Sequence, residues 1–117
     1  MSFKTLDRSR PRTSLLDFSP AAVQAFLREK LSEKGAMEAY LFGSFARGTC
    51  NAWSDLDVVV VKATDQPFVE RPREFTEIYE LGIPVDILVY TPQEFKEIRM
   101  SASPFWQDFE RQKVRIL

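Results

Sequence analysis

Residues Tyr40–Val61 read YLFGSFARGTCNAWSDLDVVVV. A short apolar run ends in Gly43-Ser44, ten residues intervene, and Asp55-x-Asp57 opens a second apolar run that continues to Val61. With β-branched valine at 58, 59, 60 and 61, both faces beyond Asp57 are apolar. This predicts a strand over Asp55–Val61, covered on two sides and central in its sheet. Side chains alternate along a strand, so Asp55 and Asp57 are expected on one side. Two carboxylates so placed can share divalent cations, and magnesium combines one or two protein carboxylates with water and substrate phosphate oxygens. A pair of such ions, about 3.5–4 Å apart, can polarise a phosphoryl group and activate a hydroxyl. The same dipeptide spacing also fits a turn and strand start with solvated side chains.

The neighbours of this pair divide in the same way. Gly43 lets backbone approach a ligand closely, and Ser44 offers a hydroxyl beside free amides at the start of a helical turn, a phosphate-binding arrangement. Gly-Ser after an apolar run is equally a plain turn signal. Arg47 either neutralises phosphate charge or clamps the loop to Asp55. Trp53 is expected to cover the core, with stacking on a base as the other use, and Lys62 to be a solvated strand end.

Working outward, Ser19-Pro20 reads as an N-cap followed by proline at the first helical position, with Val23, Phe26, Leu27 and Leu31 on one face and Gly35 as the stop. A short extended segment then covers Met37–Phe42, one or two helical turns Phe45–Gly48, and a loop Thr49–Ser54. After a polar, proline-bounded connection over Asp65–Pro72, residues Phe75, Ile78, Tyr79 and Leu81 predict a second helix ending near Gly82. Val85–Tyr90 is a third apolar strand whose single charge is Asp86. An unpaired carboxylate inside such a run is costly, so Asp86 calls for a cation, a hydrogen-bond network or a raised pKa. A metal pair on the neighbouring strand supplies the first, and Asp86 then serves as third ligand or base. A salt bridge or an exposed strand end are the other solutions.

Thr91-Pro92-Gln93-Glu94 is a capping box opening a helix through Phe95 and Ile98. Ser103-Pro104 opens another that carries Phe105, Trp106 and Phe109, expected to pack inward, and Val114–Leu117 is a closing strand. The order α, β, α, β, α, β, α, α, β predicts an α/β (α+β) domain, a small mixed sheet with helices packed against it.

Bulk properties narrow the chemistry. A chain of 117 residues fits one domain, expected over 17–117 and preceded by a loose arm over 1–16 in which Lys4, Arg8, Arg10 and Arg12 outnumber Asp7. Net charge is −1, so the electrostatic footprint of a general nucleic-acid binder is missing and direct nucleic-acid binding is not expected. The sequence has no histidine and one cysteine, Cys50. Imidazole-based triads, the usual zinc sets and an internal disulfide are therefore excluded, and carboxylates are left as metal ligands and bases. With no apolar run of membrane-spanning length, no membrane partner is expected and a cytoplasmic location is the default.

The run Gly43-Ser44, ten residues, Asp55-Leu56-Asp57-Val58, then a later strand with Asp86, resembles the nucleotidyltransferase superfamily that includes DNA polymerase β. Gly-Ser-Phe-Ala-Arg-Gly and the short length look most like the minimal nucleotidyltransferase (MNT) proteins, the antitoxins of HEPN/MNT pairs. The resemblance spans about residues 20–100. It implies the nucleotidyltransferase (polymerase β palm-like) fold, Gly43 and Ser44 on the triphosphate, Asp55 and Asp57 on two magnesium ions, and Asp86 completing the carboxylate triad. It further implies transfer of AMP from ATP to a tyrosine hydroxyl of a partner HEPN toxin, with pyrophosphate leaving. Larger relatives carry a domain for the acceptor that has no counterpart here. A catalytically silent antitoxin acting by binding alone and a small-molecule nucleotidyltransferase are the competing expectations, and self-association is left open.

Overall fold

The computed structural model describes residues 13–117. Four strands, β1 (Glu38–Phe42), β2 (Leu56–Val61), β3 (Val85–Tyr90) and β4 (Val114–Arg115), form one mixed sheet in the order β3-β2-β1-β4. β2 is antiparallel to β1 and parallel to β3, and β4 is antiparallel to β1. The valine run therefore sits inside the sheet, as its two apolar faces require. One face of the sheet, through Ala39, Leu41, Val58, Val60, Ile87 and Val89, packs on Val23, Leu27 and Leu31 of α1 (Pro20–Glu33) and on Phe75 and Ile78. The other, through Tyr40, Val59 and Val61, packs on Phe95 of α3 (Pro92–Arg99) and Phe109 of α4 (Pro104–Gln112). A five-residue helix, α2 (Gly43–Arg47), follows β1 directly.

The local signals act as expected at the helix starts. Ser19 Oγ accepts from the Ala22 amide at 3.1 Å, and the Thr91/Glu94 capping box makes both of its bonds. Ser103 instead makes no side-chain cap, leaving Pro104 alone to open α4.

Several expectations are corrected. The expected helix around Phe75–Leu81 is a 3-10 segment that begins earlier, at Phe68, and is kinked at Phe75. Pro72 lies inside it and lacks the amide that regular i to i−4 bonding needs. Tyr79 is exposed rather than packed. Lys62 is not a solvated end: it pairs with Glu74 and lies over the Phe75 ring, 5.6 Å from its centroid. The expected closing strand is only two residues long. Residues 1–12 of the expected arm lie outside the described residues, whereas Ser14 and Leu15 are buried, with Leu15 in the core that α1 covers.

β3 is an edge strand, and an edge leaves backbone groups open. Arg71, buried in the 3-10 segment, answers this by donating from Nη1 to the Val89 carbonyl at 3.0 Å and from Nε to the Gln66 carbonyl at 2.8 Å. Its fork also engages Glu94 at 2.6 and 3.2 Å. Arg71 above all, and then the Thr91 amide, hold the Glu94 carboxyl down to about 2. One guanidinium thus joins the crossover, the sheet edge and the start of α3. Replacing it by methionine, Arg71→Met, leaves these acceptors unpaired and is expected to cost about 1–3 kcal/mol in urea unfolding. Because the Glu94 pKa is depressed from 4.5, its contribution is present above that value and is lost as pH falls towards 2. The gap between wild type and variant should therefore narrow in acid.

Candidate active site

β1 and β2 pair antiparallel with Phe42 opposite Asp57, so the chain leaves β1 directly beside this carboxylate. Gly43 takes φ +77°, in the left-handed region that favours glycine. A Cβ built there would overlap Asp57 Oδ2 and lie 3.2 Å from its Cγ. Glycine is required twice over, by backbone conformation and by the packing of the turn against the acid. Ser44 follows, half-buried, and its carbonyl accepts from the Thr49 amide at 2.9 Å.

Asp86 lies opposite Asp57 across the parallel β2–β3 pair, on the same sheet face. Of the solutions open to Asp86, the structure shows the exposed one: it is exposed near the start of β3, because only the alternate residues of this strand face the core under α1. Asp57 is the half-buried carboxylate of the pair. Asp55 lies just outside β2, which starts at Leu56, and is exposed. A small turn presents it, in which Asn51 N donates to Ser54 Oγ at 2.8 Å and Trp53 N to Asn51 Oδ1 at 2.8 Å. Trp53 does not cover the core, being 58% exposed.

Burial first, and then repulsion from Asp86 and Asp55, push Asp57 up to about 6, against a smaller opposing effect of Arg47. Asp57 therefore senses both of the other acids. As the side chains stand, no three His, Cys, Asp or Glu residues among those described converge tightly enough to hold an ion by themselves. The donor set still suits magnesium, which takes one or two carboxylates and completes its shell with water and phosphate oxygens. Crowded like charges beside a turn that only glycine can make are an arrangement a divalent cation would relieve.

Arg47 reaches neither Asp55 nor Asp57 by hydrogen bond; its Nη1 donates to Gln112 Oε1 of α4 at 2.9 Å. Between α2 and α4 lies a cavity of about 220 Å³, lined by Phe42, Gly43, Arg47, Phe105, Asp108, Phe109 and Gln112. Asp108 and Gln112 escape notice when the chain is read as a sequence. The available signal was the 105, 108, 109, 112 spacing, which places all four on one helical face. A second cavity, about 400 Å³, lies at the far end of the same sheet face against Glu38 and α3, away from the acids.

No curated protein sequence matches the chain. Several solved structures share its fold. A toxin–antitoxin complex with AMP-PNP aligns with TM-score 0.60 and 21% identity, over 80% of this chain and 72% of that one. A structure assigned as a minimal nucleotidyltransferase aligns with TM-score 0.57 and 24% identity, over 80% and 89%. A complex of tri-AMPylated Shewanella oneidensis HEPN toxin with its MNT antitoxin aligns with TM-score 0.55 and 17% identity, over 83% and 71%. The family model described as nucleotidyltransferase domain matches residues 25–105, from within α1 to the start of α4, a span that encloses the Gly43-Ser44 turn and all three aspartates. This chain therefore belongs to the nucleotidyltransferase domain family.

Proposed function

We propose that this chain is a magnesium-dependent nucleotidyltransferase that moves AMP from ATP onto a hydroxyl, a tyrosine, of a partner HEPN toxin and so acts as its antitoxin. The observation that carries the reading is the close approach of the Gly43 turn to Asp57, with Asp86 opposite and Asp55 adjacent. The structural neighbours that include an AMP-PNP complex and an AMPylated HEPN toxin support the choice of nucleotide and partner.

In this reading Gly43 and Ser44 take the triphosphate, and Asp55, Asp57 and Asp86 take the metal. Two magnesium ions, when bound, neutralise phosphate charge and lower the pKa of the incoming hydroxyl. The hydroxyl oxygen forms a bond to the α-phosphorus as the bond to pyrophosphate breaks, and Asp86, exposed at the rim, takes the proton. Arg47, one helical turn beyond Ser44, adds positive charge on the phosphate side. Separate delivery of the acceptor suits a domain whose described helices all serve to cover the sheet. Among the described residues no helix is long and apolar enough to cross a membrane.

Three predictions test this reading. With magnesium, labelled ATP and a HEPN partner, label is expected on the partner; the Asp55→Asn, Asp57→Asn double variant should reduce transfer by at least a hundredfold. If that variant neutralises the toxin as well as wild type at equal abundance, inhibition is by covering and not by chemistry. Gly43→Ala should stay folded, losing about 1–3 kcal/mol to backbone strain, yet lose transfer nearly completely because Asp57 must swing away.

The third prediction concerns stability. The Asp57 pKa is raised from 3.8 to about 6, so the folded state binds the proton more tightly and stability falls as pH rises through that window. Asp57→Asn should therefore melt higher than metal-free wild type at pH 7. Below about pH 4 the difference should vanish, and magnesium should narrow it at pH 7 by stabilising wild type alone.

A further inference from the structure

The cavity of about 400 Å³ against α3 takes no part in the chemistry of the three acids. Its lining acid, Glu38, stands opposite Val61, whereas Asp57 stands opposite Phe42. Four residues of β1 separate the two places, about 13 Å at about 3.3 Å per residue. Pro92, Phe95, Lys96, Arg99 and Met100 complete the lining. Phe95 is buried and packs on Tyr40 with ring centroids 5.6 Å apart, so the floor is fixed. Met100, in contrast, is 80% exposed, a flexible thioether that adapts to irregular apolar partners but here stands in water. The aliphatic stems of Lys96 and Arg99 add apolar surface below their charged ends.

The charges around this cavity are matched, save one. Glu38 accepts from the Tyr40 hydroxyl and has Arg115 within 3.9 Å. Arg99 donates from Nε and Nη2 to the Glu110 carboxylate at 2.5 and 3.1 Å, which leaves the two N–H groups of Nη1 for another acceptor. Its guanidinium lies over the Phe95 ring, 5.0 Å from the centroid. Lys96 is exposed and forms no ion pair among the described residues. One uncompensated cation and a further pair of donors therefore stand beside apolar surface.

Size and charge together define the occupant. The volume falls within the range of about 300–1,000 Å³ found for small-molecule sites. A single excess cation suits a single negative group, and a triphosphate would bring more charge than the lining can match. A carboxylate has two oxygens, one for the Lys96 ammonium and one for Nη1 of Arg99. We infer that this cavity binds a small amphipathic monoanion, a carboxylate with an apolar tail. The tail covers Met100 above the Phe95 floor, and the head group meets Lys96 and Arg99. Such a site is independent of the transferase reading.

Methyl NMR of the whole chain labelled at its three methionines, with octanoate, octanol and acetate as separate probes, tests for it; Met100→Leu assigns the signal. Octanoate should shift the Met100 methyl and leave Met37 in place. It should bind at least fivefold more tightly than octanol, and acetate, which has no tail, should produce no shift. Lys96→Gln, a change at an exposed position, should weaken octanoate about threefold, in line with one partly exposed ion pair, and leave octanol unchanged. Lys96→Arg should restore octanoate. The Asp55→Asn, Asp57→Asn double variant should bind octanoate as wild type does. Absence of octanoate binding, equal affinity for octanoate and octanol, a shift at Met37 in place of Met100, or an unchanged octanoate affinity in Lys96→Gln would each overturn the site. None of these results bears on AMP transfer, which is measured separately.

Discussion

The contact between the Gly43 turn and the Asp57 carboxylate is the constraint on which the site depends. Antiparallel pairing of β1 with β2 puts Phe42 opposite Asp57, and the chain must turn out of the sheet at once to reach α2. A positive φ at Gly43 makes the turn, and a missing Cβ leaves space for the acid. Any side chain at 43 would require Asp57 to move. Turn and carboxylate are therefore held in fixed relation by backbone, which is stiffer than any side-chain contact across the same gap.

The rest of the molecule keeps that relation rigid. β2 is buried on both faces, with α1 and the 3-10 segment on one side and α3 and α4 on the other. A strand so enclosed cannot slip its register, since a one-residue shift would carry Asp57 into the core. Arg71 closes the edge of β3 and ties it to α3, which fixes the strand that carries Asp86. Burial, and then the charges of Asp86 and Asp55, push the half-buried Asp57 carboxyl up to about 6.

Much of this was legible in the residues. The valine run announced a central strand, and helix starts at Ser19-Pro20 and Thr91-Pro92 follow from capping chemistry that acts within four residues. Gly43, the Asp55-x-Asp57 pair and Asp86 stood out because acids or glycine interrupt apolar runs. Where the reading failed, the deciding contact was distant. Lys62 is claimed by Glu74, twelve residues on, and Arg71 by Val89 and Glu94. The surroundings of Asp86 stayed open between several solutions because a strand pattern does not show where its layer of covering helix stops. Phe105 looked buried because its spacing marks a face without saying how far the neighbouring element extends. Asp108 and Gln112 resemble any solvated helix residues until α4 is laid against α2.

By itself, then, the sequence determined the element types, the centrality of β2 and the identities of the acids, because periodicity and capping are short-range properties of the chain. Tertiary structure decided what those residues face. It set Asp57 against Gly43 through strand register, brought Asp86 beside it by parallel pairing across a long crossover, and joined α4 to α2 around a cavity. Such relations arise from packing between segments distant in the chain, and no local pattern encodes them.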